Sequence, residues 1–203
     1  MTPPKIIVFD LGKVLLDFDY RIAARRIAAK STYHGDIYQL FTIHSELLLR
    51  YETGLVSSAD FFQGICRATG FSGSLEEFAG YFGDIFSEIP PMVAFHARLR
   101  KAGFPTYIFS NTNELAMEHI NRHFPFMKDF DAHILSYEVG AMKPDPKIYE
   151  TLEKTSGKRG AEILYLDDRP ENVAAGAARG WQVILQESPE RSRATMQKLG
   201  LPV

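Results

Sequence analysis

Apolar and polar positions follow two different patterns along the 203-residue chain. Residues 5–9 form a short apolar run rich in β-branched side chains, which predicts a fully buried strand. Over residues 16–89 the apolar positions follow a helical period instead, and Ile22, Ala23 and Ile27 share one helical face. We therefore expect residues 16–89 to form a small helical bundle with almost no strand.

Capping residues divide this bundle into four predicted helices. The second covers residues 37–50. Ser58 can cap the third helix, which ends before Gly70. Ser74 and Glu77 have the S-x-x-E spacing of a capping box, which predicts the start of the fourth helix.

After residue 90 the pattern changes to strands that alternate with helices. Pro91 suits the first turn of a helix that ends at Gly103, and Asp145 caps a later helix in which Pro146 follows the cap. The predicted strands are residues 104–110, 133–135, 162–168 and 181–185, and the other predicted helices are residues 114–122, 146–156 and 169–180.

This alternation indicates an α/β fold built on a Rossmann-like, doubly wound parallel sheet. We expect residues 1–15 and 90–203 to form the sheet-containing core. The helical bundle of residues 16–89 would interrupt that core directly after its first strand.

Composition narrows the range of partners. A net charge of -2 gives no electrostatic reason to expect nucleic acid or an anionic membrane surface as a partner. Cys66 is the single cysteine, so a disulfide framework and a thiolate metal site are both excluded. The N-terminal residues lack a signal-peptide core, and no apolar run has membrane-spanning length. We expect a soluble, cytoplasmic protein.

Polar side chains collect where the predicted strands end. Asp10 follows the first strand, Ser110, Asn111 and Thr112 end the second, and the pair Asp167 and Asp168 ends the fourth; Lys143 lies in the loop after the third. In an open parallel sheet these carboxyl ends form the ligand-binding edge. Clustered carboxylates favour Mg²⁺, and a lysine and a hydroxyl suit the phosphate that such an ion accompanies.

Four sequence motifs carry a resemblance to a known family. In chain order they are VFDLGKVLLD, YIFSNTN, AMKPDPKIYE and LYLDDRPENV. The sequence resembles the haloacid dehalogenase-like hydrolase superfamily, and in particular its bacterial sugar-phosphate phosphatases that begin FDLGxVLxD. The insert, including YETGLVSSADFF, is similar to the family's helical cap, so the resemblance covers nearly the whole chain.

The resemblance implies a Mg²⁺-dependent phosphatase that acts on a small phosphorylated metabolite, with a sugar phosphate favoured. Asp10 would be the nucleophile that becomes an aspartyl phosphate. Ser110 and the backbone N–H of Asn111 would bind the phosphoryl oxygens, with Thr112 beside them, and Lys143 would orient Asp10 and neutralise developing charge.

The resemblance also implies the metal ligands and a place for substrate recognition. Asp10, Asp168 and the Gly12 carbonyl would bind Mg²⁺, with Asp167 as a further ligand or a neighbour of the ligands. Substrate specificity would reside in the cap. The candidate cap residues are Asp17, Phe18, Tyr51 and Glu52.

The chain departs from the family pattern in its first motif. Most phosphatases of the superfamily have a second aspartate where Gly12 stands, and that residue donates a proton to the leaving oxygen and later activates water. Lys13 stands where the family often has glycine, and Asn172 where many members have another acid. Asp17 and Asp19 are the acids nearest to Gly12, and each could instead be a loop or helix-cap residue.

Two other functions remain open at this point. The first is a catalytically weak binding or regulatory protein that keeps the fold and has lost the acid at position 12. The second is a 2-haloacid dehalogenase, which shares the nucleophilic aspartate and the lysine but needs no metal. Its motifs typically have an aromatic residue in place of Gly12 and lack an acidic pair like Asp167 and Asp168.

Overall fold

The computed structural model of the chain describes residues 3–42 and 45–203. Its centre is a five-stranded parallel sheet with the first strand in the middle, which confirms the Rossmann-like α/β prediction. The strands, in spatial order, are β5 (Ala132–Leu135), β4 (Thr106–Ser110), β1 (Ile6–Phe9), β6 (Ile163–Asp167) and β7 (Gln182–Leu185).

Helices cover both faces of this sheet, which explains why the central strand is apolar at every position. Ile7 and Phe9 belong to the apolar cluster on one face, and Ile6 and Val8 belong to the cluster on the other. The core helices are α5 (Pro90–Lys101), α6 (Glu114–His123), α7 (Ser136–Val139), α8 (Pro146–Ser156), α9 (Pro170–Ala178) and α10 (Pro189–Lys198), and 3-10 helices span Pro125–Asp129 and Gly160–Glu162.

The insert, residues 16–89, is called the cap below. It begins and ends with two short antiparallel strands, β2 (Leu16–Phe18) and β3 (Phe86–Glu88). Between them lie α1 (Tyr20–Ala28), a 3-10 helix (Ile37–Phe41), α2 (Glu46–Glu52), α3 (Ser58–Thr69) and α4 (Leu75–Gly83).

Stacked aromatic rings hold the cap helices together. Tyr51 of α2 stacks on Phe61 of α3 with ring centroids 4.4 Å apart, and Phe61 meets Phe82 of α4 edge to face at 5.5 Å. These rings form a buried cluster separate from the two clusters that flank the sheet. Aromatic pairs of this kind contribute about 0.5–1.5 kcal/mol each beyond the burial of their area.

The two short strands at the ends of the cap were not predicted. The two chain segments that connect the cap to the core run side by side, so the backbone of Leu16–Phe18 pairs with that of Phe86–Glu88. Each strand has only three residues, which is too short to produce a visible alternation in the sequence.

The predicted helix at residues 37–50 is also wrong in its extent. A 3-10 helix and α2 take its place, because Asp36 caps the first and the Ser45 side chain accepts a hydrogen bond from the Leu48 N–H to start the second. Residues 43–44 of the predicted helix lie outside the described residues.

Other predicted helix ends need only small corrections. The cap of α3 is Ser57 rather than Ser58, since the Ser57 side chain accepts from the Asp60 N–H. Pro90 rather than Pro91 occupies the first position of α5. The C-terminal helix α10 was not predicted, because few apolar residues mark its buried side.

No helix in the described part of the chain is long and apolar enough to cross a membrane.

The capping box of α4 is confirmed and gives a stability prediction. Ser74 accepts a hydrogen bond from the Glu77 N–H, and the Glu77 side chain accepts one from the Ser74 N–H. Ser74→Ala should lower the free energy of unfolding by about 1 kcal/mol, as the loss of a cap usually does. Urea denaturation measures it, with the exposed Ser87→Ala as control. An equal effect of both substitutions would contradict the capping role.

Candidate active site

Lys143 is the centre of the polar cluster at the carboxyl edge of the sheet. Its side chain is buried, and its ammonium nitrogen lies 2.6 Å from Asp167 Oδ2, 2.7 Å from the Phe109 carbonyl and 3.0 Å from Asp10 Oδ1. An ammonium group has three protons to donate, so these three oxygens engage all of them. Burial acts to lower the pKa of Lys143, but the two carboxylates outweigh it and the pKa is raised. The lysine is therefore a fixed cation that holds Asp10 in place.

Asn111 positions the loop that carries this lysine. Its side-chain amide donates to the Lys143 carbonyl at 3.0 Å, and its side-chain oxygen accepts from the Lys143 N–H at 2.7 Å. This pairing ties the end of β4 to the loop that follows α7. The Asn111 side chain thus fixes the backbone of Lys143, and the backbone N–H of Asn111 is the group that remains to contact a ligand.

Three carboxylates meet beside the lysine. Asp10, Asp167 and Asp168 each offer an oxygen within 4.8 Å of the other two. Burial raises the pKa of Asp10 to about 7; Lys143 opposes the rise, whereas Asp167 and Asp168 add to it. Burial and the neighbouring Asp167 also raise the pKa of Asp168. Three carboxylates against one ammonium leave an excess of negative charge that favours a bound cation.

The two oxygens of Asp10 have different surroundings. Oδ1 accepts hydrogen bonds from the Leu11 N–H at 2.7 Å and from Lys143. Oδ2 has no hydrogen-bond partner in the described part of the chain. Asp10 itself lines the cavity described below. One oxygen is therefore fixed by the protein, and the other is left to bind a metal or attack a substrate.

Asp167 is fully buried and both of its oxygens are occupied. It accepts hydrogen bonds from Lys143, the Tyr165 hydroxyl, the Asn172 amide and the Arg169 N–H. A carboxylate with this many donors has little remaining capacity as a ligand. Its visible effect is to hold Lys143 and Asn172 next to Asp10 and Asp168.

Asn172 provides a test of whether the site fits a cation. Its amide donates to both Asp167 oxygens at 3.1 and 3.2 Å, which fixes the orientation of the side chain. Its Oδ1 atom is then buried with no hydrogen-bond partner among the described residues. Asn172 lines the same cavity as Asp10 and Asp168. An unpartnered amide oxygen beside clustered carboxylates is the donor set that Mg²⁺ takes, so the residues present fit that ion.

A cavity of about 570 Å³ opens over this cluster, between the core and the cap. This volume lies in the usual range for small-molecule sites. Its polar wall comes from the core. The cap contributes aromatic rings and one acid. The residues discussed below that line it are Asp10, Gly12, Lys13, Phe18, Tyr20, Phe41, Glu52, Phe86, Ser110, Asn111, Thr112, Lys143, Asp168, Arg169 and Asn172.

The structure thus brings most of the predicted site residues to one place. Asp167 lies beneath the cavity as the support of Lys143. Asp17 is not among the lining residues; its exposed side chain is paired with Lys13. Asp19 is the N-cap of α1, and the Tyr51 hydroxyl bonds to backbone and Ser58 instead of facing the cavity.

Sequence reasoning missed the polar groups that support the cluster or face it from the cap. Tyr165 donates to Asp167 from within an apolar strand, where its hydroxyl gave no signal. Tyr20 lines the cavity one residue after the Asp19 cap, and Asn113 is the N-cap of α6 directly after the Ser110–Thr112 segment. The only sign in the sequence was that Asn113 is the last residue of the second motif.

Space explains why residue 12 is glycine. A Cβ atom on Gly12 would lie 2.7 Å from Phe18 Cε1, which is closer than two carbon atoms can approach. The Phe18 ring therefore occupies the direction in which a side chain at position 12 would extend. Lys13, the next residue, has φ 58°, a left-handed conformation that costs a non-glycine residue about 1–2 kcal/mol. Its ammonium is paired with Asp17 and lies 4.7 Å from the centre of the Phe18 ring.

Comparison with known proteins agrees with this fold. The haloacid dehalogenase-like hydrolase family matches residues 4–180, and the chain belongs to that family. The chain is 28% identical over 195 residues to D-ribitol-5-phosphate phosphatase of Bacteroides thetaiotaomicron, with 91% of this chain and 92% of that protein covered.

Two solved structures share the fold. A HAD-like family hydrolase from Porphyromonas gingivalis superposes with a TM-score of 0.83 at 24% identity, covering 98% of both chains. A HAD family enzyme from Bacteroides thetaiotaomicron, solved in complex with magnesium and inorganic phosphate, superposes with a TM-score of 0.79 at 24% identity, covering 89% of this chain and 93% of that one.

The raised pKa of Asp10 predicts how the stability of the metal-free protein depends on pH. The folded state retains the Asp10 proton up to about pH 7, while the unfolded chain releases it near the ordinary value of 3.8. Stability should therefore fall as the pH rises from about 4 to about 7, by a few kcal/mol at most, since one pKa unit corresponds to about 1.4 kcal/mol. Asp10→Asn cannot ionise, so this fall should be smaller in the variant.

Thermal unfolding in excess chelator at several pH values measures the effect. Asp168 and Glu52 also have raised pKa values, so Asp10→Asn should reduce the slope without removing it. Glu46→Gln, at an exposed position of α2, is the matched control and should leave the slope unchanged. A slope that is identical in wild type and Asp10→Asn would contradict the buried environment assigned to Asp10.

Proposed function

We propose that this protein is a Mg²⁺-dependent phosphatase that hydrolyses a small phosphorylated metabolite through an aspartyl-phosphate intermediate. The observation that carries the proposal is Asp10, whose Oδ1 is held by Lys143 and the Leu11 N–H while Oδ2 is unpartnered. The name of the curated relative supports a sugar or polyol phosphate as the substrate class.

The metal would be held by groups around the Asp10 oxygen. Asp10, Asp168 and the Gly12 carbonyl are the proposed ligands, and Asn172 Oδ1 is an additional buried acceptor that can bind the ion directly or through water. The magnesium and phosphate in a structure of the same fold support this choice of ion. When bound, Mg²⁺ supplies electrophilic stabilisation of the phosphoryl oxygens.

The protein's own residues then have distinct roles in the chemistry. Asp10 Oδ2 attacks phosphorus, the bond from phosphorus to the ester oxygen breaks, and that oxygen takes a proton from water and leaves as the alcohol. The Ser110 hydroxyl and the Asn111 N–H bind the transferred group at the end of β4. Lys143 favours the ionised form of Asp10 and aims its carboxylate. Water then cleaves the aspartyl phosphate, which releases inorganic phosphate and restores the carboxylate.

The proton for the leaving alcohol does not come from position 12. Phe18 fills the space where the second aspartate of the family would stand, so the wild-type site works without that acid. The same observation supports the second candidate, a binding or regulatory protein with weak catalysis. The dehalogenase alternative has less support, because the site keeps the acidic pair Asp167 and Asp168 beside Asp10.

Metal dependence and a covalent intermediate test the proposal directly. Hydrolysis of a phosphate-ester panel should stop in excess chelator and return when Mg²⁺ is added. Asp10→Asn should abolish turnover while the protein stays folded by circular dichroism. In the wild-type protein, beryllofluoride with Mg²⁺ should bind and raise the melting temperature, and Asp10→Asn should lose that rise.

The control is Asp145→Asn, which replaces a carboxylate that caps α8 outside the cavity. It should change stability by about 1 kcal/mol or less and leave chelator sensitivity and beryllofluoride binding unchanged. Turnover that persists in chelator, or in Asp10→Asn, would reject the metal-dependent covalent mechanism. A folded protein that binds beryllofluoride and turns over no ester would favour the regulatory alternative.

The contact between Gly12 and Phe18 gives a second prediction. Gly12→Asp alone should lower the melting temperature and give no gain in rate, since the new side chain overlaps the Phe18 ring. Gly12→Asp combined with Phe18→Ala makes room for an acid. Because a positioned general acid contributes roughly 10²–10⁴-fold, the double variant should hydrolyse alkyl phosphates at least about tenfold faster than Phe18→Ala alone.

Single-turnover rates against leaving-group pKa provide the measurement. The gain should be largest for poor leaving groups such as alkyl alcohols and smallest for aryl phosphates, which leave with little help. If Gly12→Asp alone is both stable and faster, the steric explanation for the glycine is wrong.

A further inference from the structure

Three polar residues lie close together on the cap side of the cavity. Glu52 at the end of α2 and Tyr20 at the start of α1 line the cavity. Asn113 is fully buried, its side-chain oxygen caps α6, and its amide nitrogen has no hydrogen-bond partner among the described residues. The Asn113 side chain lies beside Glu52 and Tyr20 and acts to lower the pKa of each, against the larger effect of burial. The three residues therefore form one cluster, called the cap polar cluster below.

Burying these polar groups away from water is costly in free energy. Burial is the largest influence on both ionisable groups: it raises the pKa of Glu52 to about 7 and that of Tyr20 well above its usual value. A buried polar group without a partner costs about 1–3 kcal/mol. Hydroxyl groups of a ligand would offset this free-energy cost, since each can donate to a carboxylate and accept from an amide.

The cap polar cluster is separate from the proposed reaction centre although both face one cavity. Glu52 lines the cavity from the cap, whereas Asp10, Ser110 and Asp168 line it from the core. A ligand whose phosphate lies against the core wall can therefore extend toward Glu52.

The backbone around Glu52 is fixed to the core. The Ser136 hydroxyl donates to the Glu52 carbonyl at 2.5 Å, and the neighbouring Tyr51 hydroxyl accepts from the Leu115 N–H at 3.1 Å. The Ser136 hydroxyl oxygen also accepts from the Thr112 N–H at 2.9 Å, in the segment that follows Ser110. The carboxylate is therefore held at a defined distance from the phosphate-binding segment, as a specificity-determining residue requires.

We propose that Glu52 and Tyr20, positioned by the buried Asn113 beside them, form a subsite for the hydroxyl groups of the substrate's alcohol portion, so that the preferred substrate is the phosphate ester of a polyhydroxylated chain. This inference rests on the proposed phosphatase function and adds to it the residues that select the substrate. Phe18, Phe41 and Phe86 would cover the carbon chain, and the polar cluster would contact its far hydroxyls.

The test compares three phosphate substrates in the presence of Mg²⁺. They are a pentitol phosphate, pentyl phosphate of the same chain length without the hydroxyls, and acetyl phosphate, which is too short to reach the cluster. The wild-type kcat/KM should be at least about tenfold higher for the pentitol phosphate than for pentyl phosphate, because unpaired buried groups reject the analogue that lacks hydroxyls.

Glu52→Gln removes the charge and keeps the shape. It should lower kcat/KM for the pentitol phosphate by roughly 10–100-fold, mainly through a higher KM, and change that for acetyl phosphate less than about twofold. Tyr20→Phe should act in the same direction and provides a second variant. Asn113 is left intact because it caps α6. Glu46→Gln, on the exposed side of the same helix as Glu52, is the matched control and should have no effect.

Each outcome separates this inference from the proposed function. If the wild type hydrolyses none of the three substrates with Mg²⁺, the proposed function and the inference resting on it both fail. If it hydrolyses acetyl phosphate but favours pentyl phosphate over the pentitol ester, the subsite is wrong and an apolar alcohol is the substrate class. If both variants, still folded by thermal unfolding, affect all three substrates equally or not at all, the cluster is not a specificity subsite.

Discussion

The ammonium group of Lys143 is the interaction on which the rest of the site depends. It contacts oxygen atoms at the ends of three neighbouring strands of the sheet. These are an Asp10 oxygen after β1, the Phe109 carbonyl oxygen of β4 and an Asp167 oxygen of β6. One buried cation therefore sets the relative positions of three strand ends. Removing it would leave two buried carboxylates facing each other, and breaking a buried ion pair in this way costs several kcal/mol. The parallel sheet is what allows one side chain to reach all three oxygens, because its strand ends lie at one edge.

The same constraint limits how much charge the site can hold without a ligand. Lys143 balances one of the three carboxylates, and the protein relieves part of the remaining repulsion by raising the pKa values of Asp10 and Asp168. The charge of Asp167 is stabilised differently, because hydrogen-bond donors surround its carboxylate. Two of the three acids are thus left electrostatically unsatisfied, and they are the two that line the cavity. That division indicates which of them a cation would contact.

The sequence predicted the core of the fold and the main site residues because both depend on local order. A buried strand followed by a polar residue places that residue at the sheet edge, which was enough to bring Asp10, Ser110 and Asp168 together. Contacts between distant segments were out of reach: the pairing of β2 with β3 joins residues about 70 positions apart in strands too short to be periodic. The Phe18 ring leaves no room for a side chain at position 12, and the orientation of that ring is not encoded in any sequence pattern.

The position of the cap polar cluster also bears on how a ligand would strengthen the contact between cap and core. The named polar contacts that hold α2 and the start of α3 to the core are few: Ser136 to the Glu52 carbonyl, the Tyr51 hydroxyl to the Leu115 N–H, and Ser58 to the Glu114 carboxylate. A hydrogen bond contributes about 0.5–1.5 kcal/mol net, so these three contacts together provide only a few kcal/mol. Apolar packing adds to them, since Leu115 of α6 belongs to the buried cluster of the cap. A ligand bound to the core at its phosphate and to Glu52 at its hydroxyls would add contacts between the two parts, so the substrate that carries matching hydroxyls would stabilise this arrangement most.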